Sequence, residues 1–136
     1  MWSHYALNHT GVCLKFEPTK DSNFEKALCP VIYSDELIEA KNTNDFTKCL
    51  LTKLKTWSIE KEWRIISDKE KFPFKHETLV EIVFGLKVPE STMSWFKQFR
   101  ENVYYMHAPI HKLKIRGNRL VKVDEWNDEV VSNTFG

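Results

Sequence analysis

HKLKIRGNRLVKV, residues 111–123, carries the clearest fold signal in the chain. Two β-like runs flank Gly117-Asn118, a two-residue turn suited to a β-hairpin. Lys112, Lys114, Arg116, Arg119 and Lys122 place five cations on that ribbon. Such a ribbon can meet phosphates or an acidic protein surface. Lysines on an edge strand also guard against aggregation. No aromatic residue is interleaved there to stack on bases.

Outward from the hairpin, strands and helices alternate without a βαβ repeat. Val12, Leu14 and Phe16 alternate with Cys13 and Lys15, which predicts a strand with one buried face. Ahead of it, Asn8-His9-Thr10-Gly11 is turn chemistry, with Gly11 expected at positive φ. The aromatic stretch 1–6 is expected to be helical. Val31 to Tyr33 reads as a short strand. Phe46, Cys49, Leu50, Leu54 and Trp57 recur at helical spacing behind a Thr43 or Asn44 cap. Trp63 and Ile65 alternate with Glu62, Arg64 and Ile66, as in a strand. Leu79 to Phe84 is an apolar β-rich run closed by Gly85. Pro89-Glu90-Ser91 opens a helix to about Arg100 that offers Trp95, Phe96 and Phe99 to a core. Tyr104 to Met106 reads as one more strand. The expected fold is α+β: a small mixed or antiparallel sheet, two or three helices and a closing hairpin. It is expected as one domain over 1–136, with 124–136 an acidic, weakly structured tail.

The bulk numbers agree with a packed chain. Of 136 residues, 42% are hydrophobic and 13% aromatic, enough for a core. Lys plus Arg is 20 against 19 Asp plus Glu, so any basic surface is local. No apolar run is long enough to span a bilayer and no secretory leader pattern opens the sequence. Cys13, Cys29 and Cys49 are odd in number and widely spaced. That spacing argues against a disulfide framework or zinc site and points to a reducing, cytoplasmic setting, with Cys13 and Cys49 as buried thiols.

Three further constellations bear on function. Glu60 and Glu62, within Trp57–Arg64, would share a face if both entered a strand, and paired carboxylates can raise one another's pKa. A pairing of Glu62 with Arg64 or a Lys on a solvated edge is the alternative. Ser3, His4 and Tyr5 stand near His9, but no nucleophile elbow surrounds them. Trp2 and Tyr5, three apart, match one helix face. His107 and His111 are four apart, yet Pro109 between them breaks the helix that shared metal binding needs. No metal is expected.

Three stretches carry a family resemblance. MWSHYALNHTGVCLKF (1–16) supplies Trp2, His4, Tyr5, Ala6, His9, Gly11, Val12 and Cys13. LLTKLKTWSIEKEWRII (50–66) supplies Lys53, Trp57, Glu60, Glu62, Trp63 and Arg64, and a β-rich run ends in VEIVFG (80–85). Together these resemble the bacterial family called domain of unknown function 2971. The resemblance runs over 1 to about 85. It implies a segment ahead of the Met-Trp, with a first strand and an Asn-Asp-Pro turn, that has no counterpart here. The chain then corresponds to the C-terminal part of such a domain, with apolar surface around Trp2 and Tyr5 uncovered.

The family layout is also similar to ADP-ribosyltransferase-like folds. There an early-strand His or Arg and a middle-strand Ser or Tyr hold NAD, and a late Glu stabilises the oxocarbenium-like transition state. That similarity implies Glu62 or Glu60 as the late Glu, with His4 and Tyr5 in support. The early-strand residue would fall in the missing segment. Three functions follow as expectations. The first is a non-catalytic protein-interaction module of a phage or mobile element, in defence or counter-defence. It would bind a protein partner or a second copy through the basic hairpin and the Trp2/Tyr5 surface, without a cofactor. The second is an NAD-using ADP-ribosyltransferase-like enzyme. The third is a nucleic-acid binder using the hairpin.

Overall fold

The computed structural model describes residues 5–102, 108–124 and 130–132. The chain divides into two compact units. The first joins 1–17 to 75–136, and the second is 18–74. Strands and helices are mixed as the α+β expectation requires.

The first unit is a five-stranded sheet. Its strands are β1 (Val12–Phe16), β6 (Leu79–Phe84), β7 (Ile110–Arg116), β8 (Arg119–Asp124) and β9 (Val130–Ser132), adjacent in that order. All neighbours are antiparallel except β6 and β7. A parallel pair needs a crossover, and α3 (Glu90–Asn102) lies in that connection. β6 is buried on both faces from Glu81 to Phe84, which is why its sequence is almost continuously apolar.

Ile82, Phe84 and Ile110 form the core with Val88, Met93 and Ala108. Met93 and Phe96, three apart on α3, turn toward it, and Phe96 meets Phe84 edge to face at 5.5 Å. Trp95 and Phe99, expected in the core, instead stack on each other at 5.3 Å and stay substantially exposed. They lie four apart on another face of the same helix.

The approach to β1 differs from expectation. Residues 5–10 form turns, with Leu7, Asn8 and His9 all at positive φ, while Gly11 is not. The glycine instead eases a tight approach: a Cβ at Gly11 would lie 3.0 Å from the Ala6 Cα. Thr10 and Gly11 both donate backbone N–H groups to the Ala6 carbonyl. The turn seats against the end of β6, where Lys87 donates its N–H to the His9 carbonyl at 2.9 Å. A Cβ at Gly85 would stand 2.2 Å from that same carbonyl oxygen. Residues 1–4, with Trp2, Ser3 and His4, lie outside the described residues, as does the strand expected at 104–106. In the stretch expected to be a weakly structured tail, β9 pairs with β8.

The second unit is built from short elements. Asp21 caps α1 (Ser22–Ala27) by accepting from the N–H groups of Asn23 and Phe24. Buried Phe24 packs its ring against Phe72 and Phe74. β2 (Leu28–Pro30) pairs antiparallel with β5 (Trp63–Ile65), and β3 (Ile32–Ser34) pairs parallel with β4 (Thr52–Leu54). α2 (Thr43–Leu51) begins under an Asn42 cap, not Thr43 or Asn44, because Asn42 Oδ1 accepts from the Asp45 N–H. It also stops earlier than the apolar spacing predicts. Thr52 turns its hydroxyl back to the Lys48 carbonyl at 2.7 Å, and the chain leaves as β4. Leu54 and Trp57 therefore belong to β4 and to a 3₁₀ turn at Lys55–Glu60, not to the helix.

The two turn glycines make a test. Gly85→Ala should cost about 1–3 kcal/mol, because the His9 backbone must move. Gly117→Ala, at φ +59° with open space around it, should cost only about 1 kcal/mol of conformational strain. Urea denaturation of the two variants measures the difference.

Candidate functional site

The motif Lys53 to Arg64 folds into a single charged network in the second unit. Lys53 Nζ donates to Glu60 and, at 3.0 Å, to Glu62 Oε2. Arg64 grips the Glu62 carboxylate with Nε at 2.7 Å and Nη2 at 3.2 Å, and its Nη1 reaches the Leu50 carbonyl. The Glu62 N–H donates to Tyr33 Oη at 2.9 Å. The Lys53 ammonium also lies over the Trp57 ring, 5.2 Å from its centroid.

The carboxylates meet for a reason other than strand alternation. Glu60 closes the 3₁₀ turn, Lys61 takes a left-handed conformation at φ +47°, and Glu62 follows immediately before β5. That reversal brings both side chains to one lysine. The electrostatics are the reverse of an acid–base pair. The Arg64 hydrogen bond, aided by Lys53, outweighs burial and holds the Glu62 carboxyl below the ordinary range.

A second cluster lies on one face of the five-stranded sheet. Glu81 on β6 binds His111 Nδ1 on β7 at 2.6 Å and accepts from Lys122 on β8. Lys15 on β1 stands 3.8 Å from its other oxygen. The side chains of Glu81 and His111 are each 10% exposed. Burial alone would raise the Glu81 pKa, yet Lys122 and His111 together lower it. Cys13 shares this face, and burial with the nearby Glu81 charge pushes its thiol up, away from nucleophilic use. Asp124 lies opposite His111 on the same face.

Sequence reasoning missed this cluster. The available signal was the one charge, Glu81, inside the apolar run LVEIVF, since a buried charge demands partners. His111 lies on a strand, and His107 falls outside the described residues. Among the described residues, no group of three or more His, Cys, Asp and Glu side chains could hold a metal ion.

The basic ribbon is divided by its pleat. Residues directly opposite share a face, so Leu113 and Lys122 lie on the Glu81 side. Lys112, Lys114 and Arg116, with Arg119 opposite Arg116, lie on the other. The five cations expected to act together are thus four and one. Tyr5 is exposed, in the turn before β1, while Trp2 and His4 lie outside the described residues. No helix among the described residues is long and apolar enough to cross a membrane.

Residues 1–65 match the family described as protein of unknown function, DUF2971. The resemblance is thereby shown over that stretch, which holds the matched residues Trp2 to Cys13 and Lys53 to Arg64. The VEIVFG run at 80–85 lies beyond it. No curated protein and no solved structure matches the chain.

The two clusters differ in depth, which sets an expected order of effects. Glu81→Gln leaves Lys122 buried without its counter-charge and should cost about 3–5 kcal/mol at neutral pH. Glu62→Gln, at a partly solvated pair, should cost about 1–2 kcal/mol. Both glutamates have folded pKa values below their unfolded ones. Their contribution is therefore full above the ordinary carboxylate range and lost as pH falls through the folded values. The stability gap between wild type and each variant should shrink below about pH 4. Urea titrations across pH measure it.

Proposed function

From this family match we propose that the chain is a protein-interaction module whose contact surface is the corner of the second unit formed by residues 57–63. One observation carries this reading: four of the motif's charges are tied to one another while its large apolar side chains are exposed. Glu60, Glu62, Lys53 and Arg64 satisfy one another. Meanwhile Ile59 is 87% exposed, Trp63 is 60% exposed, and Trp57 and Ile32 are also exposed. Trp63 pairs in register with exposed Pro30, which extends the apolar surface. Exposed Trp side chains, one of them with the Lys53 ammonium over its ring, suit an interface centre, where Trp and Tyr dominate binding energy. An apolar corner of this kind is covered by another protein or by a second copy.

An ADP-ribosyltransferase-like role asks Glu62 to face a developing positive charge on a sugar. Here the carboxylate is already taken by two cations of its own motif. The protein-binding reading also moves the expected contact surface from the hairpin to this corner.

The test begins with the tagged full chain used as bait in its host. The captured protein is then purified and its affinity measured by calorimetry against wild type, Trp63→Ala and Ile59→Glu. Each variant should weaken binding about thirtyfold, the equivalent of ~2 kcal/mol at a central contact. Self-association should show as a concentration-dependent mass that both variants abolish. Unchanged affinity and mass in both variants rejects the corner as the contact. Transfer from labelled NAD that Glu62→Gln removes rejects the non-catalytic reading itself.

A further inference from the structure

We infer that the occupant of the corner is a second copy of this chain, which sets its segment 35–39 against residues 55–63 and receives the reciprocal contact. The inference rests on the corner reading above and names what covers that surface. Topology carries it. β3 and β4 run parallel, with Ser34 opposite Leu54. Asp35 follows β3 directly and Lys55 follows β4 directly, so the two segments leave the same end of one strand pair. They stand side by side there: Asp35 and Lys55 face each other at 3.7 Å, both exposed.

The two segments are opposite in charge and both carry exposed apolar side chains. The first, Asp35-Glu36-Leu37-Ile38-Glu39, holds three carboxylates and no cation. All five residues are exposed, Leu37 at 62% and Ile38 at 45%. The Ile38 carbonyl accepts from the Cys49 thiol at 3.0 Å, which ties the segment to α2. In the second, Lys53 to Arg64 holds four cations and two anions. Glu60 and Glu62 bind Lys53 and Arg64, so Lys55 and Lys61 are the surplus, and both are exposed. Lys61 is the left-handed residue of the turn that leads from Ile59 to Trp63.

A symmetric dimer needs a surface that complements itself across a two-fold axis. Two complementary segments lying side by side on one chain meet that need. An axis between them sets the acidic segment of each copy against the basic segment of the other. Leu37 and Ile38 then cover Ile59 and Trp63, while Glu36 and Glu39 meet Lys55 and Lys61. The Asp35–Lys55 pair within one copy is solvated on both sides, so little stability is lost when Lys55 turns to the other copy. A foreign acidic segment would instead have to dock beside the three carboxylates this chain already places there, and like charges brought together oppose binding.

Sedimentation equilibrium of the full chain from about 5 to 500 µM should show monomer and dimer in exchange, as fits an interface at or below standard size. Two charge reversals test the pairing: Glu36→Lys with Glu39→Lys, and Lys55→Glu with Lys61→Glu. Each double variant alone should weaken the dimer at least roughly a hundredfold, because like charges then face each other. An equimolar mixture of the two should restore a dimer holding one of each. All four residues are exposed, and urea midpoints equal to wild type show that the variants are folded. A wild type that stays monomeric overturns this inference alone, since the calorimetry with a captured protein still decides the corner reading. Self-association that survives both reversals, or a mixture that stays monomeric, overturns it as well. A dimer that Ile59→Glu and Trp63→Ala leave intact overturns the corner reading together with it.

Discussion

The first unit depends on one buried carboxylate. Glu81 stands inside an otherwise apolar strand and draws in one partner from each of three other strands: Lys15, His111 and Lys122. A lone ionised carboxylate at that depth would be costly, so the sheet must deliver those cations and the imidazole to the same face. This fixes register as well as charge. Sliding β8 by one residue would send Lys122 to the opposite face and bring buried Val121 or Val123 toward Glu81. The apolar core on one side and the polar tie on the other thus specify the same alignment.

The ribbon's chemistry is a consequence of that alignment. Because Lys122 must face Glu81, the alternation of side chains sends Lys112, Lys114, Arg116 and Arg119 to the other side. One cation serves the Glu81 tie, and the other four lie on the opposite face. The second unit separates roles in a comparable way. Its Lys53, Glu60, Glu62 and Arg64 stabilise a turn that short 3₁₀ and left-handed backbone could not hold alone, and the same turn carries Ile59 and Trp63 outward. In both units, ion pairs position the groups beside them.

Legibility in the sequence followed the range of the interaction. Strand β1, the LVEIVF strand, the hairpin and its Gly117-Asn118 turn rest on local alternation and turn chemistry and stand where those signals put them, although Leu14, expected on the buried face of β1, is 47% exposed. The helix over 43–51 was visible, but its end was not. The apolar spacing ran on through Leu54 and Trp57, while the stop depended on the Thr52 hydroxyl and on pairing with β3, eighteen or more residues earlier. Gly11 was expected to supply positive φ and instead supplies space against Ala6, a distinction visible only once the turn is built. The proximity of Glu60 and Glu62 was anticipated, but their opposite electrostatics came from Lys53, seven and nine residues away. The Glu81 cluster joins residues 30 and 41 apart, beyond any periodicity argument.

The family match and the physical folding unit do not share boundaries. The matched stretch, 1–65, contains β1 and the whole charged motif. Yet among the described residues β1 pairs along its length only with β6, from Val12 opposite Phe84 to Phe16 opposite Leu79, and β6 lies outside that stretch. The turn before β1 is likewise held by Gly85 and Lys87. An isolated five-residue strand has no stable existence in water without a partner and a covered face. The residues that carry the family signature at the start of the chain therefore owe their conformation to the region the signature does not reach. A fragment ending at residue 65 would keep the motif's sequence and lose the sheet that shapes its first half.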